Sequence, residues 1–337
     1  MKAAIFNTPG ALVTIDDVSD PEPGEGEVVI RVSRCGVCGT DLELTGGHGQ
    51  TLPPGSTLGH EYGGEVVAVG KGVGTLKCGD NIAAFPIVGC GSCDGCATGL
   101  DVFCPQMQTY AAGMAQYARV SAWGATKLPS TVSAADSALV EPLAVARRAV
   151  RLVDAPPGSK ALILGPGPIG LGVAFWLQRS GVRDIAVVAS SRRRQKLAEL
   201  MDIEHFIVDG DYAPDAIHDA LGGLPDVVFD AAGKPGVIGR AIELVRPQGR
   251  ILSLSYCMQP DPIVPGLAMF KDVTIRFSVV YTRADYKACA DALSDDADRA
   301  RSMVTDTVSL DGFPQAFEQL RDPASETGKL LVDPWAQ

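Results

Sequence analysis

Apolar positions fall into two textures along the 337-residue chain. Over roughly the first 130 residues they come in short runs, "GEVVIRVSRCGVC", "GGEVVAVG" and "GDNIAAF", rich in valine and isoleucine and cut by glycine and proline. β-Branched runs of this length, punctuated by turn residues, predict short strands. This part therefore reads as an all-β unit, a distorted barrel. From about residue 134 the pattern changes. "SAADSALVEPLAVARRAVRLV" is rich in alanine, keeps helical spacing and places Ser133 at the N-cap. Five short apolar runs follow, "KALILG", "DIAVVAS", "HFIVD", "DVVFDAAG" and "RILSLSY", with helical stretches such as "RRRQKLAELM" and "GVIGRAIELV" among them. Apolar strands alternating with helices predict a doubly wound parallel sheet, so the chain is α/β with a separate β unit. The tail, "DGFPQAFEQL" then "GKLLVDP", predicts a helix and a strand that rejoin the first unit, and the acidic "SDDADRARSMVTD" is expected to be a solvated face.

The first chemistry appears where that sheet begins. "GPGPIG" supplies Gly165, Gly167 and Gly170 with Pro168 and Ile169 between the last two, directly after a strand and opening a helix. In that setting G-x-G-x-x-G marks a dinucleotide site, with the pyrophosphate over the helix N-terminus. An NAD site then carries an acid about twenty residues on, for the ribose hydroxyl. Here the corresponding residue is Ala189, followed by Ser190, Ser191, Arg192, Arg193 and Arg194. Small hydroxyls and guanidinium groups suit a 2'-phosphate, which a carboxylate would repel. NADP(H) is therefore expected over NAD(H), held by Ser190, Ser191 and Arg192 or Arg193, with Arg194 turned away. The alternative is a charged first helical turn at the surface.

Charge and cysteine content narrow the rest. A formal net charge of -11 argues against a nucleic-acid partner and an anionic membrane face. "MKAAIFNTPGALVTIDD" lacks a signal-peptide layout, and "ALILGPGPIGLGVAFWL" is too broken by glycine and proline to read as a span. A soluble, cytoplasmic protein is expected, in which nine cysteines point to metal rather than disulfides. Cys90, Cys93, Cys96 and Cys104 offer four thiolates on one loop, the closed set of a structural zinc, stapling a lobe over residues 89–105. A second set is scattered: Cys35, Cys38, Thr40 and Asp41 in "CGVCGTD", His60 and Glu61 in "GHEYGG", and Glu141 in "LVEPLA". Cysteine, histidine and carboxylate from distant segments make an open, catalytic zinc site, although Cys35 and Cys38 alone would also suit a redox pair.

The order "CGVCGTD", "GHEYGGEVVAVG", four-cysteine lobe, "EPLAVA", "GPGPIGLG" resembles the zinc-dependent medium-chain dehydrogenases of the alcohol, polyol and threonine dehydrogenase superfamily along nearly the whole chain. The resemblance implies a GroES-like catalytic domain, residues 1–142 and 286–337, and a Rossmann domain, residues 143–285. It implies two zinc ions per chain. Cys38 and His60 would bind the catalytic one. Glu61 would enter or support the coordination sphere, Asp41 would orient the histidine, and Glu141 would stand where ethanol-type members carry cysteine and polyol-type members glutamate. The implied reaction passes hydride between NADP(H) and a secondary alcohol or polyol, or its ketone. Thr40 would relay the alcohol proton. Relatives finish that relay with a histidine where this chain has Glu43. Cys35, Cys78, Cys257 and Cys289 are expected to be small buried side chains, and the protein a homodimer or homotetramer. Two rival readings are an NADPH-dependent reductase of an activated C=C or C=N bond and a non-catalytic nucleotide-binding protein. The second would require loss of the zinc ligands, which are all present.

Overall fold

The computed structural model describes residues 1–47, 50–210, 213–322 and 324–337. The chain divides into two compact units, Met1–Ala144 with Tyr281–Gln337, and Val145–Val280.

The first unit is built on the ten-residue strand Glu27–Gly36. It pairs antiparallel with Glu61–Val69, with Tyr117–Ser121 and with the C-terminal strand Lys329–Asp333. Asn81–Ala83 and Thr126–Lys127 extend one side of this sheet, and Val304–Ser309 extends the other beside Lys329–Asp333. The register between Glu27–Gly36 and Glu61–Val69 shifts at Val29/Ile30 and again at Val32/Arg34. Bulges of this kind bend a sheet, which gives a distorted barrel rather than a flat layer. Val28, Ile30, Val32, Val66, Ile82, Phe6, Phe313 and Phe317 fill its core. The tail expected to rejoin this unit does so: the helix Phe313–Gln319 puts two phenylalanines into the core, and Lys329–Asp333 closes onto the central strand.

The second unit is a six-stranded parallel sheet in the order His205–Val208, Ile185–Ala189, Ala161–Leu164, Val227–Asp230, Arg250–Ser253, Thr274–Phe277. Its inner strands are buried on both faces, which is why they read as unbroken apolar runs. Thr274–Phe277 escaped the sequence pattern because it is an edge strand, largely exposed and carrying Thr274 and Arg276.

Three local expectations change. Ser133 does cap, but it opens a 3₁₀ helix, Ala134–Leu139, before the α-helix Val140–Val153. Pro142 has no N–H for the carbonyl of Ala138, so a continuous α-helix from Ser133 is broken there. "SDDADRARSMVTD" is not simply a solvated face: Arg301 reaches back to the buried Asp136 at 2.6 Å, and Ala300 and Met303 are buried. Of the four unassigned cysteines, Cys35 and Cys289 are buried, but Cys78 is exposed and Cys257 half-buried. Among the described residues no helix is long and apolar enough to cross a membrane.

Candidate active site

The site in the first unit grows out of a helix start. Cys38 is the N-cap of the helix Gly39–Gly46, its Sγ accepting from the Thr40 amide at 3.5 Å. Asp41 completes the capping box, one carboxylate oxygen accepting from the Cys38 amide at 3.0 Å. Its other oxygen faces His60 Nδ1 at 3.3 Å. One buried carboxylate therefore closes the helix N-terminus and holds the imidazole at Nδ1, the arrangement a metal-bound histidine needs. Burial disfavours the charged form of His60, but the facing Asp41 and Cys38 outweigh this and hold its pKa well above the usual value. That excess of negative charge is what a bound cation would answer. Ligand atoms of Cys38, His60 and Glu61 all lie within 4.8 Å of one another. This donor set, a soft thiolate with imidazole and carboxylate, fits zinc.

Glu141 stands in the first turn of Val140–Val153, buried, and close enough for electrostatic contact with His60 and Glu61. Burial pushes its carboxyl up to about 7, with His60 pulling it down and Glu61 pushing it up. Tyr281, which sequence reasoning missed, turns its buried hydroxyl toward Glu141 without closing a hydrogen bond to it. Its ring is wedged at 5.3 Å from Phe85 and 5.2 Å from Tyr286. Lys329, also missed, binds Glu61 from the opposite strand. Neither carried a motif; only the folding of a distant segment brings them here. Thr40 is half-buried in the first helical turn, and Glu43 is exposed one turn further on. Met114 and Tyr62 are core residues, while Trp123 is exposed beneath the Arg283 guanidinium.

The four-cysteine lobe is assembled as its spacing predicts. The Sγ atoms of Cys90, Cys93, Cys96 and Cys104 lie within 4.8 Å of one another. Amides of Cys90 and Gln106 point at Cys104 Sγ at 3.2 and 3.3 Å, and that of Gly91 at Cys96 Sγ at 3.3 Å. Such donors favour thiolates, and hydrogen bonds from Ser92 draw Cys90 down to about 6. The set fits a closed tetrahedral zinc with no position for substrate.

In the second unit, Gly165 follows the strand Ala161–Leu164, Gly167 is the N-cap of the helix Pro168–Arg179, and Pro168 and Ile169 form its first turn. A Cβ on Gly170 would stand 2.0 Å from the carbonyl oxygen of Gly165, so only glycine lets helix and turn meet. Ser190 lies at the end of Ile185–Ala189 and lines a cavity of about 550 Å³ with Asp209, Gly210 and Arg240. Ser191, Arg192 and Arg193 follow at the surface, Arg192 bonding Gln195 at 2.8 Å. The arginine turned inward is instead Arg194: a guanidinium nitrogen lies 3.6 Å from where a Cβ on Gly167 would stand. The expectation that Arg194 points away is corrected by this. A 3₁₀ turn over Arg192–Arg194 rotates the third side chain back over the glycine turn. Asp209 and Arg240, 3.5 Å apart, were not singled out in the sequence.

A barrel carrying a cysteine–histidine–carboxylate cluster, a four-cysteine lobe, and a parallel sheet with a dinucleotide turn define a class, and comparison with known proteins agrees. The pattern described as "Alcohol dehydrogenase GroES-like domain" matches residues 24–130, and that described as "Zinc-binding dehydrogenase" matches residues 168–295. The chain belongs to the zinc-dependent medium-chain dehydrogenases, NAD(P)-dependent oxidoreductases of alcohols. It is 33% identical to (R,R)-butanediol dehydrogenase of Bacillus subtilis, with 96% of each chain covered. It is 28% identical to sorbitol dehydrogenase of the same organism, covering 99% of this chain and 97% of the other. A Sinorhizobium meliloti 1021 protein solved with NADP bound superposes with a TM-score of 0.89 at 27% identity, over 99% of each chain.

Proposed function

We propose that this enzyme interconverts a secondary alcohol of the diol or polyol type and its ketone with NADP(H), using one catalytic and one structural zinc per chain. The observation that carries the reading is the single carboxylate of Asp41 tying Cys38 to His60. A zinc ion held by Cys38, His60 and a glutamate would supply a Lewis acid for a substrate oxygen, and a nicotinamide at the glycine turn would supply the hydride acceptor. The chain's own residues do the rest. Asp41 holds the imidazole in one tautomer. Thr40, at the same helix start, receives the hydroxyl proton as the carbinol C–H bond gives up its hydride. Glu43, exposed one turn on, passes that proton to solvent. Glu141 is buried beside the Tyr281 hydroxyl, close to His60 and Glu61. The names of the butanediol and sorbitol relatives support a substrate with neighbouring hydroxyls.

The cofactor choice rests on the absence of an acid at Ala189–Arg193, on the run Arg192–Arg194, and on the Arg194 guanidinium beside the glycine turn. The NADP-bound Sinorhizobium structure supports it. A dimer or tetramer is supported by exposed apolar side chains beside the edge strand Thr274–Phe277. The test measures reduced-cofactor formation with NADP and NAD against 2,3-diols, polyols and simple secondary alcohols, with and without a chelator. Chelator-sensitive turnover preferring NADP is expected. Turnover with NAD alone refutes the phosphate reading, and turnover untouched by metal removal refutes the zinc reading.

A further inference from the structure

A buried carboxylate stands at the carboxyl edge of the parallel sheet. Asp230 closes the strand Val227–Asp230 with 4% of its surface exposed. Its Oδ1 accepts from the amides of Ala232 at 3.0 Å and Gly233 at 3.4 Å and from the Ser255 hydroxyl at 3.0 Å. Its Oδ2 accepts from the Ser253 hydroxyl at 2.7 Å. These four donors are all neutral, and a buried charge held by neutral groups is costly. The donor count explains the residue type. An ionised carboxylate only accepts, at about four sites, whereas an amide would turn an NH2 group toward some of these donors.

The carboxylate ties two loops to the dinucleotide turn. Ala231 donates its amide to the Leu164 carbonyl at 2.9 Å, and a Cβ on Gly165 would stand 3.0 Å from the Ala231 carbonyl oxygen. The segment after Asp230 therefore lies against the first glycine of that turn. Gly233, at a φ of +66°, bends back until a Cβ there would stand 3.4 Å from Ser255 Cβ. Ser253 ends the next strand, and its carbonyl accepts from the Ser278 amide at 2.9 Å, just past the edge strand. The Ser278 hydroxyl is buried with no partner, a state that a polar group of a ligand would relieve.

Sheet order assigns this edge to one half of the cofactor. The glycine turn follows Ala161–Leu164, with Ser190 past the end of the neighbouring strand on one side and Asp230 ending the neighbouring strand on the other. A dinucleotide lies across the carboxyl ends of such a sheet with its pyrophosphate at the glycine turn. With the adenosine half toward Ser190, the nicotinamide half falls on the Asp230 side. Resting on that placement of the adenosine half, we propose that Asp230 is a positioning residue for the nicotinamide half. It acts through Ala232, Gly233, Ser253 and Ser255, fixing the two loops that seat this half of the cofactor.

Calorimetry on the wild type and Asp230→Asn tests this with two ligands, NADPH and 2'-phospho-ADP-ribose, which lacks the nicotinamide. NADPH should bind the variant roughly tenfold more weakly, and 2'-phospho-ADP-ribose should stay within about twofold of wild type. Ser255→Ala removes one donor and no charge. It should move the ratio of the two dissociation constants the same way by roughly twofold or more, and it decides the matter if Asp230→Asn does not fold. Equal weakening of both ligands overturns the proposal, because a general loss of structure falls on both halves. An unchanged NADPH affinity overturns it too. A wild type that binds NADH and ADP-ribose but neither phosphorylated ligand refutes the NADP(H) reading alone, and the same comparison with that pair then decides Asp230. A wild type that binds neither pair overturns both.

Discussion

At the scale of single residues, Asp41 carries the most. It accepts from the Cys38 amide, closes the helix cap and faces His60. Asp41→Asn keeps the shape but loses the charge, so zinc at the second site should weaken roughly 10–100-fold while the four-cysteine lobe stays loaded. Competition with a graded chelator reads this, and an unchanged affinity would remove Asp41 from the orienting role. Cofactor choice is also a residue-scale matter. Ser190→Asp sets a carboxylate at the cavity edge beside the expected 2'-phosphate. Preference should move toward NAD by roughly tenfold or more, one decade being about 1.4 kcal/mol. The ratio of kcat/KM for the two cofactors measures it, and a ratio that stays put would locate the phosphate elsewhere. Cys38, Asp41, His60 and Glu141 were legible because their chemistry is rare and their spacing familiar. Lys329 and Tyr281 were not, because a lysine and a tyrosine in an ordinary tail declare nothing until packing buries them.

At the scale of elements, the four-cysteine lobe has little core of its own. Its helix Asp94–Ala97 buries no residue, and Phe103 is exposed. Asp101 ties the lobe down, accepting from the Gly89 amide at 2.9 Å and pairing with Arg283 at the start of the helix Arg283–Arg301. Arg283 in turn lies over Trp123, 4.4 Å from the ring centre. Cys96→Ser should therefore open the lobe selectively: limited proteolysis would cut within residues 89–105 first, with the rest of the chain intact. Cleavage elsewhere first would mean the lobe is not a separately stapled element. In the parallel sheet, Asp226 accepts from the Lys160 amide at 2.8 Å and from Arg246 at 2.6 Å. Burial works against its charge, but these partners outweigh it and hold its carboxyl below the usual value. A lowered pKa in the folded state gives stability that is present above the unfolded value, about 3.9, and is lost as pH falls through the folded one. Asp226→Asn should cost about 1–2 kcal/mol at pH 7. The gap between the two urea midpoints should then close on acidification below about pH 4. A gap independent of pH would show that shape, not charge, was lost.

At the scale of the whole molecule, one surface is out of keeping with the rest. Met258, Met269, Phe270 and Phe277 are each 69% to 85% exposed, and Val264 and Leu267 at least half exposed. Phe277 ends the edge strand Thr274–Phe277 and the others precede it in sequence; among the described residues the outer side of that strand pairs with no further strand. Two nearby charges are already used: Lys271 donates to the carbonyls of Ile242, Glu243 and Val245, and Asp261 accepts from the amides of Gly236 and Ile238. These side chains expose on the order of 800 Å², comparable with one partner's share of a standard interface. A second copy turned by a two-fold axis would satisfy strand edge and apolar face together. Light scattering should show a dimer or a multiple of it, and Phe270→Glu with Phe277→Glu should give monomers. A monomeric wild type would overturn this.

The amino-acid sequence by itself determined the class of the protein. Strand and helix periodicity, the glycine turn and the cysteine spacings are local quantities, set by backbone sterics and by metal-ligand chemistry over a few residues, and they can be read without a fold. Which arginine turns toward the glycine turn, and which glutamate is locked by a lysine, was decided only by tertiary structure. The first follows from how a short turn sets Arg194 against the glycine turn, and the second from a side chain meeting another far along the chain, Lys329 reaching Glu61 across the end of Gly36. No local pattern encodes such a meeting, because it is the packing of the barrel, and not the strand that carries the lysine, that makes its burial possible.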